Sequence, residues 1–318
     1  MSQLKVKVVS KINEAEDIVS FELASADDAK LPLFSAGSHI DVHIGEGVIR
    51  QYSLCNPPHE DHRYQIGVLR DLNSRGGSIA MHDDIMVGDV ITISEPKNHF
   101  PLVQAKRSLL FAGGIGITPI LCMAERLTRA DGDFAMHYCT RAPERTAFRD
   151  RISRSPFAQH VVYHHDNGAD EQRLQLAELI ATPEEGTHIY VCGPGGFIDH
   201  VVKTAREKGW PPEQVHLEYF SAGAVETKGD KAFDVRIAST GQVFTIPAGE
   251  TVIAVLNHNG IDIPVSCEQG VCGTCLTRVL EGEPDHRDLY MTDKEHAAND
   301  QFTPCCSRSK SAVLVLDI

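Results

Sequence analysis

Ser266-Cys267-Glu268-Gln269-Gly270-Val271-Cys272-Gly273-Thr274-Cys275 sets three cysteines at C-x4-C-x2-C, and a fourth, Cys305, follows Cys275 after 29 intervening residues. That spacing is the arrangement of a plant-type [2Fe–2S] site. Two irons bridged by sulfides need four thiolates, and a loop that wraps them closely needs backbone N–H groups aimed at sulfur; Gly270 and Gly273 suit its tight turns. A zinc ribbon would want two C-x-x-C pairs, whereas only Cys272 and Cys275 form one and Cys305-Cys306 are adjacent. Disulfides fit less well still, because nothing else in the chain indicates an oxidising compartment.

The 318 residues are enough for two or three domains, each with its own core, and 42% hydrophobic with 23% charged residues is the composition of an ordinary soluble protein. No apolar run of membrane-spanning length occurs, and Met1-Ser2-Gln3-Leu4-Lys5 lacks the apolar stretch of a signal peptide. A cytoplasmic monomer is expected, with no membrane association. Of nine cysteines, four are expected as metal ligands and Cys55, Cys122, Cys139, Cys192 and Cys306 as free thiols. The net charge of −14 disfavours nucleic acid as a partner. Residues 232–318 hold 12 Asp and Glu against 6 Lys and Arg, so the cysteine-bearing end is the more acidic per residue. That surface is either simply solvated or a docking face for a basic partner.

Residues 4–100 read as short strands (6–8, 18–23, 39–44, 49–54, 64–69 and 90–93) broken by Gly, Pro, Asn and Asp, which suggests a small antiparallel barrel. In Arg50-Gln51-Tyr52-Ser53 the alternation puts Arg50 and Tyr52 on one face, a cation for phosphate beside an aromatic that can border a flat ring. Ser74-Arg75-Gly76-Gly77-Ser78 precedes a short helix at 79–82, whose free N–H groups would meet a phosphate. Each of these signals is weak alone.

From Ser108 the period changes. An apolar strand at 109–112 runs into Gly113-Gly114-Ile115-Gly116-Ile117-Thr118-Pro119, with Thr118 expected as the cap of a helix over 120–129. Strands at 134–139, 160–165, 188–192 and 215–220 alternate with helices at 145–153, 174–181 and 197–208, so residues 105–221 are expected to form a doubly wound parallel sheet with its ligand at the strand C-termini. Asp166, just past the third strand, reads either as a group that could reach a ribose or as a solvated loop acid, and Arg141 could serve a 2′-phosphate. The stretch between Ser221 and Lys231 reads as a linker, followed by a hairpin over 233–246, a helix at 251–258, the cysteine loop and a closing strand at 313–316.

A nicotinamide gives up two electrons at once as hydride while the cluster takes one at a time, so a group able to hold a half-reduced state is needed between them, and a flavin does this. Arg50-Gln51-Tyr52-Ser53-Leu54, the Arg75-Gly76-Gly77-Ser78 turn, Gly113 to Pro119, Cys192-Gly193-Pro194, the cysteine loop, Glu283-Pro284-Asp285-His286-Arg287-Asp288 and Pro304-Cys305-Cys306-Ser307-Arg308 together resemble the phthalate dioxygenase reductase family, which includes vanillate O-demethylase-type reductases. The resemblance spans essentially the whole chain. It implies an antiparallel β-barrel flavin domain over 1–104, a doubly wound α/β nucleotide domain over 105–222 and an α+β plant-type ferredoxin domain over 232–318. It further implies NADH, FMN and [2Fe–2S] as cofactors and a separate Rieske-type terminal oxygenase as partner; no C-x-H motif of a Rieske centre occurs in the chain itself. Carried over by position, Arg50, Tyr52, Ser53, Arg75, Gly76, Gly77 and Ser78 would contact FMN, with Thr118 beside the flavin and the Phe220 ring near the isoalloxazine. Gly114, Gly116, Cys192 and Gly193 would line the nicotinamide nucleotide, and Cys267, Cys272, Cys275 and Cys305 would hold the cluster, with Cys306 available as an alternative fourth ligand. No residue is assigned as a catalytic acid or base. Two rival readings are a ferredoxin-linked reductase or diaphorase serving a haem protein, and a non-enzymatic metal-binding or redox-sensing module.

Overall fold

The computed structural model describes residues 3–45, 47–72, 76–221 and 227–318, which fall into two compact units, 1–220 and 221–318. The first unit holds two sheets. Its N-terminal part comprises β1 (Gln3–Ala15), β2 (Ile18–Ser25), β3 (Ser38–Ile44), β4 (Val48–Ser53), β5 (Tyr64–Leu69), α1 (Gly77–Asp83), β6 (Val90–Ser94) and β7 (Lys97–Asn98). These strands pair antiparallel in the order β4-β3-β6-β1-β2-β5, with β7 on β3. A bridge between Leu54, just past β4, and Ile66 in β5 brings the two ends of that order together as a barrel. Alternate residues point inward, so Val6, Val8, Phe21, Ile40, Val42 and Tyr64 are wholly buried in one core. The sequence spacing marks only 6–8 of β1; the strand extends to both sides because β2 and β6 pair along it, with a bulge between Val8 and Ser10 on the β2 side.

The second sheet is parallel. It is built from β8 (Arg107–Gly113), α2 (Ile117–Arg129), β9 (Asp133–Thr140), α3 (Arg149–Ser153), β10 (Val161–His165), α4 (Leu176–Leu179), β11 (Thr187–Gly193), α5 (Gly195–Glu207) and β12 (Val215–Tyr219). The order β10-β9-β8-β11-β12 puts the topological switch between β8 and β11, so Gly113 and Gly193 stand side by side at the C-terminal edge where doubly wound folds bind ligands. Three helical expectations need correction. Residues 145–153 form a single turn at Pro143–Arg145 and then α3, because Phe148 at φ 60° breaks the run. Residues 174–181 contribute only the four residues of α4. Thr118 is not the cap of α2, which begins at Ile117 after a tight turn over Gly114–Gly116; its hydroxyl instead donates to the Ile115 carbonyl at 3.1 Å.

Barrel and parallel sheet share a core in which Ile18, Ala36, Cys55 and Phe100 pack with Leu110, Ile117 and Leu121. Arg151 fixes that junction. Its guanidinium donates to Gln65 Oε1 (2.7 Å) and the Cys55 carbonyl (2.8 Å) on the barrel and to Glu125 Oε1 (2.9 Å) on α2.

The second unit contains β13 (Phe233–Ile237), β14 (Val243–Ile246), α6 (Val252–His258), β15 (Thr277–Glu281), β16 (Pro284–Asp285), α7 (Asp293–Ala298), β17 (Gln301–Phe302), β18 (Arg308–Ser309) and β19 (Val313–Leu316). One mixed sheet runs β14-β13-β19-β15-β17, and the expected hairpin and closing strand are its β13, β14 and β19. Thr251 caps α6 by accepting the Ala254 N–H. Of the expected linker, 222–226 lie outside the described residues, and Asp230 is anchored: its carboxylate meets the Arg287 guanidinium at 2.7 Å and Arg308 Nε at 3.3 Å. Arg308 also donates to the carbonyls of Lys231, Pro247 and Glu250 and lies over the Phe233 ring. Among the described residues no helix is long and apolar enough to cross a membrane.

Replacing Arg151 by Met keeps the length of the side chain but strands Glu125 and the Cys55 carbonyl. Charge-assisted hydrogen bonds of this kind contribute about 2 kcal/mol each at most. The expected outcome is a lower thermal unfolding midpoint for the first unit, with the absorption and melting of the second unit unchanged.

Candidate redox-cofactor site

On the barrel, Arg50 and the Gly76 to Ser78 turn come together as the sequence suggests. A methyl group added at Gly77 would lie 2.7 Å from Arg50 Cγ and 2.8 Å from its Nε, so glycine is what lets the guanidinium stem lie against the start of α1. Gly76 takes φ 86°, a left-handed conformation that glycine adopts without strain, and no side chain caps the helix behind it. Ser78 Oγ accepts the Asp71 N–H at 3.1 Å, holding the turn to the end of β5. Arg75, with Asn73 and Ser74, lies outside the described residues. Tyr52 packs on the barrel core, and burial raises its hydroxyl pKa well above the ordinary range.

Ser53, at the end of β4, marks where barrel and parallel sheet meet at the site. Its Oγ lies 3.4 Å from Glu218 Oε2. Glu218 pairs with Cys192 across β12 and β11, which puts the carboxyl beside a buried thiol. Burial pushes the Glu218 carboxyl up to about 8, opposed by the Ser53 hydrogen bond, and pushes the Cys192 thiol up as well, with the nearby Glu218 charge adding to it. The sequence reading did not single out Glu218. The available signal was a lone acid in an otherwise uncharged strand, Val215-His216-Leu217-Glu218-Tyr219-Phe220.

Gly116, Cys192 and Gly193 are brought together at the switch point. A Cβ on Gly116 would stand 2.2 Å from the Cys192 carbonyl oxygen, a distance no side chain tolerates. Gly114 takes φ 53° in the same turn, and Thr118 is buried with its methyl group against Gly67 of β5. Phe220 follows β12 directly and is exposed. Arg141 and Asp166 stand on adjacent loops at the ends of β9 and β10, where the Asp166 and Asn167 N–H groups donate to the Thr140 and Arg141 carbonyls.

In the second unit the four cysteines form two pairs. Cys267 and Cys272 are hydrogen-bonded to each other, and Cys305 is hydrogen-bonded to Cys275 and to its neighbour Cys306. Backbone N–H groups of Gln269 and Thr274 point at Cys267 and Cys272 sulfur at 3.4 and 3.5 Å. The first hydrogen bond pulls the Cys272 thiol down to about 5 while raising that of Cys267. Glu268 and Gly270, at φ 51° and 73°, turn the backbone so that these amides face inward. Cys306 also shares a hydrogen bond with Cys305. Its sulfur lies against Gly270, where a Cβ would come within 2.4 Å, and against the Thr303 and Ser307 hydroxyls at 3.3 and 3.8 Å. Four thiols, two amide donors and a closely turned loop fit the donor set of a [2Fe–2S] cluster and the charge it brings.

The raised Glu218 value has a consequence for stability. Between its ordinary value of 4.5 and about 8, the folded chain holds a proton that the unfolded chain has released. Stability therefore falls as pH rises through that window, whereas below it both states are protonated and the group contributes nothing. Glu218→Gln should be progressively more stable than the parent as the pH approaches 8, measured as the difference in thermal midpoint; a difference independent of pH would contradict the assignment.

Comparison with known proteins agrees with these features. A 2Fe-2S iron-sulfur cluster binding domain model matches residues 235–310, and a model for the N-terminal domain of dimethylamine monooxygenase subunit DmmA-like proteins matches 97–215. A vanillate O-demethylase oxidoreductase from Pseudomonas sp. (strain HR199 / DSM 7063) is 57% identical over 305 residues, covering 96% of each chain. The solved structure of phthalate dioxygenase reductase, described as modular for electron transfer from pyridine nucleotides to [2Fe-2S], is 41% identical with a TM-score of 0.78, covering 100% of this chain and 98% of that one. An intact type IV self-sufficient cytochrome P450 monooxygenase contains the same fold at a TM-score of 0.85 and 38% identity, covering 99% of this chain and 41% of that one. With its barrel, its parallel sheet and its cysteine loop in the same order, the chain belongs to the family of the vanillate O-demethylase and phthalate dioxygenase reductases, the oxidoreductase components of oxygenase systems.

Proposed function

We propose that this chain takes electrons from NADH, passes them through FMN to a [2Fe–2S] cluster, and delivers them to a separate Rieske-type oxygenase. The observation that carries the reading is the meeting of Ser53 with Glu218 beside Cys192, which joins the barrel face bearing Arg50 and Tyr52 to the switch point of the parallel sheet. Bound FMN would supply the conversion of one hydride into two single electrons.

The chain's own residues provide the rest. Arg50 and Ser78, with the N–H groups opening α1, offer positive charge and donors to a phosphate, and Tyr52 borders the space above β4. Gly114 and Gly116 let backbone approach a pyrophosphate at the switch point. Glu218 keeps a proton at its carboxyl up to about pH 8, within reach of Ser53 Oγ, so the junction carries no buried negative charge at neutral pH. Cys267 with Cys272, and Cys275 with Cys305, would each hold one iron. Cys305 is favoured over Cys306 because its thiol bonds to Cys275 as well as to Cys306, whereas Cys306 bonds to Cys305 and the Thr303 and Ser307 hydroxyls and not to Cys275. Arg141, next to Asp166, is the cation that bears on NADH against NADPH.

A second reading, delivery to a haem protein, is favoured by one observation: the same fold forms part of a self-sufficient cytochrome P450. Reconstitution separates the two. The purified chain should support NADH-dependent turnover by the oxygenase component of a vanillate O-demethylase; reduction of cytochrome P450 without oxygenase turnover would favour the second reading, and protein containing zinc and no flavin would defeat both.

Substitutions test the site. Cys305→Ser should lose iron while NADH-dependent reduction of a small dye through the flavin persists, and Cys306→Ser should keep its iron; the reverse pattern would move the fourth ligand to Cys306. Arg50→Ala should weaken FMN retention by roughly ten- to a hundredfold, the loss of one charge-assisted contact, read by flavin fluorescence on dilution.

A further inference from the structure

His286, Asp288 and His296 bring their ligand atoms within 4.8 Å of one another, beside the cysteine loop but using none of its thiols. We propose that they form a second metal site, for a single divalent transition ion such as Zn2+. The Asp288 side chain is fully buried; its Oδ2 accepts the Met291 N–H at 2.8 Å, its two oxygens are hydrogen-bonded to His296 Nε2 at 3.2 and 3.3 Å, a bond an entering ion would replace, and Oδ1 stands 3.9 Å from His286 Nδ1. The Ser307 hydroxyl donates to the same Oδ1 at 3.5 Å.

The geometry around His286 carries the inference. Its side chain is only 8% exposed, and Nε2 donates to Asn299 Oδ1 at 3.2 Å, which leaves Nδ1 as the nitrogen with the free lone pair. In the neutral ring Nδ1 has no hydrogen-bond partner and faces the Asp288 carboxylate, so two electron-pair donors confront each other inside the protein. A cation between them removes that conflict. His296 completes the set: the Thr292 and Glu295 capping box fixes the start of α7, and the His296 ring stacks on His286 with centroids 4.4 Å apart. Ligand atoms on one tetrahedral ion stand about 3.4 Å apart, and because a metal lies in the plane of each imidazole it binds, the partly exposed His296 ring must turn out of the stack to meet it. Two imidazoles with one carboxylate suit zinc and its neighbours, and not Mg2+ or Ca2+, which prefer oxygen alone. The Asn299 contact is the outer hydrogen bond that orients a metal-bound histidine. His296 is 26% exposed and gives the ion its entry.

The site is tied to the cysteine loop, since Leu289 N–H donates to the Gly270 carbonyl at 3.0 Å. An ion there would cancel the Asp288 charge next to that loop and make a cluster easier to reduce.

Calorimetric titration of Zn2+ into the holoprotein tests this. One Zn2+ per chain should bind with iron content unchanged, zinc-edge X-ray absorption should report two imidazole nitrogens, and the cluster potential should rise. H296Q, on the partly exposed helix, should weaken binding at least tenfold and abolish the potential shift without altering the circular dichroism; H286Q should weaken it likewise. No stoichiometric binding, binding unchanged in both variants, or binding that displaces iron would overturn the proposal.

Discussion

Three stretches of backbone converge at the switch point within a volume that one added methyl group would overfill. The β8 to α2 turn comes so close to the end of β11 that a Cβ on Gly116 would fall 2.2 Å from the Cys192 carbonyl, and the same turn seats Thr118 against Gly67 of the barrel. Packing this tight is possible only where side chains are missing, and it has a functional result. It sets Cys192 and Glu218 beside Ser53, so that a barrel and a parallel sheet, each an ordinary fold, present one continuous face. The Arg151 fork fastens the opposite side of the junction, where Cys55 and Glu125 share its guanidinium.

The second unit solves a different problem: an irregular loop must hold three thiols, facing a fourth from Cys305, without regular backbone hydrogen bonds of its own. It does so through its surroundings. Arg287 and Arg308 converge on Asp230, and Arg308 satisfies three carbonyls while covering Phe233, so the framework next to the loop is pinned by charge-assisted contacts. Asp288 braces the loop from the other side and turns its carboxylate toward two histidines, which makes a motif recognised only as part of a family pattern into a separate piece of chemistry.

Much of this was legible in order along the chain. The strand, glycine turn and helix at 109–129, the alternation of strands and helices up to 219, the hairpin at 233–246 and the cysteine spacing all follow from local periodicity and turn chemistry. Some elements were not. Strand β15 and helix α7 were passed over although Thr292 and Glu295 spell a capping box, because their apolar pattern is too short to stand out. The helices at 145–153 and 174–181 shrink because Phe148 turns the chain and because Gln175 and Ile180, on either side of α4, leave the helical conformation.

The sequence by itself determined the kinds of module and the identity of the sulfur donors, since ligand spacing, glycine turns and hydrophobic period are local properties of the chain. Only the tertiary structure decided which residues face one another. That Glu218 meets Ser53 across 165 positions, that Cys305 and not Cys306 bonds to Cys275, and that His286 Nδ1 confronts Asp288 depends on how distant segments pack. Burial and the electrostatics of close pairs arise from that packing, and no spacing rule encodes them.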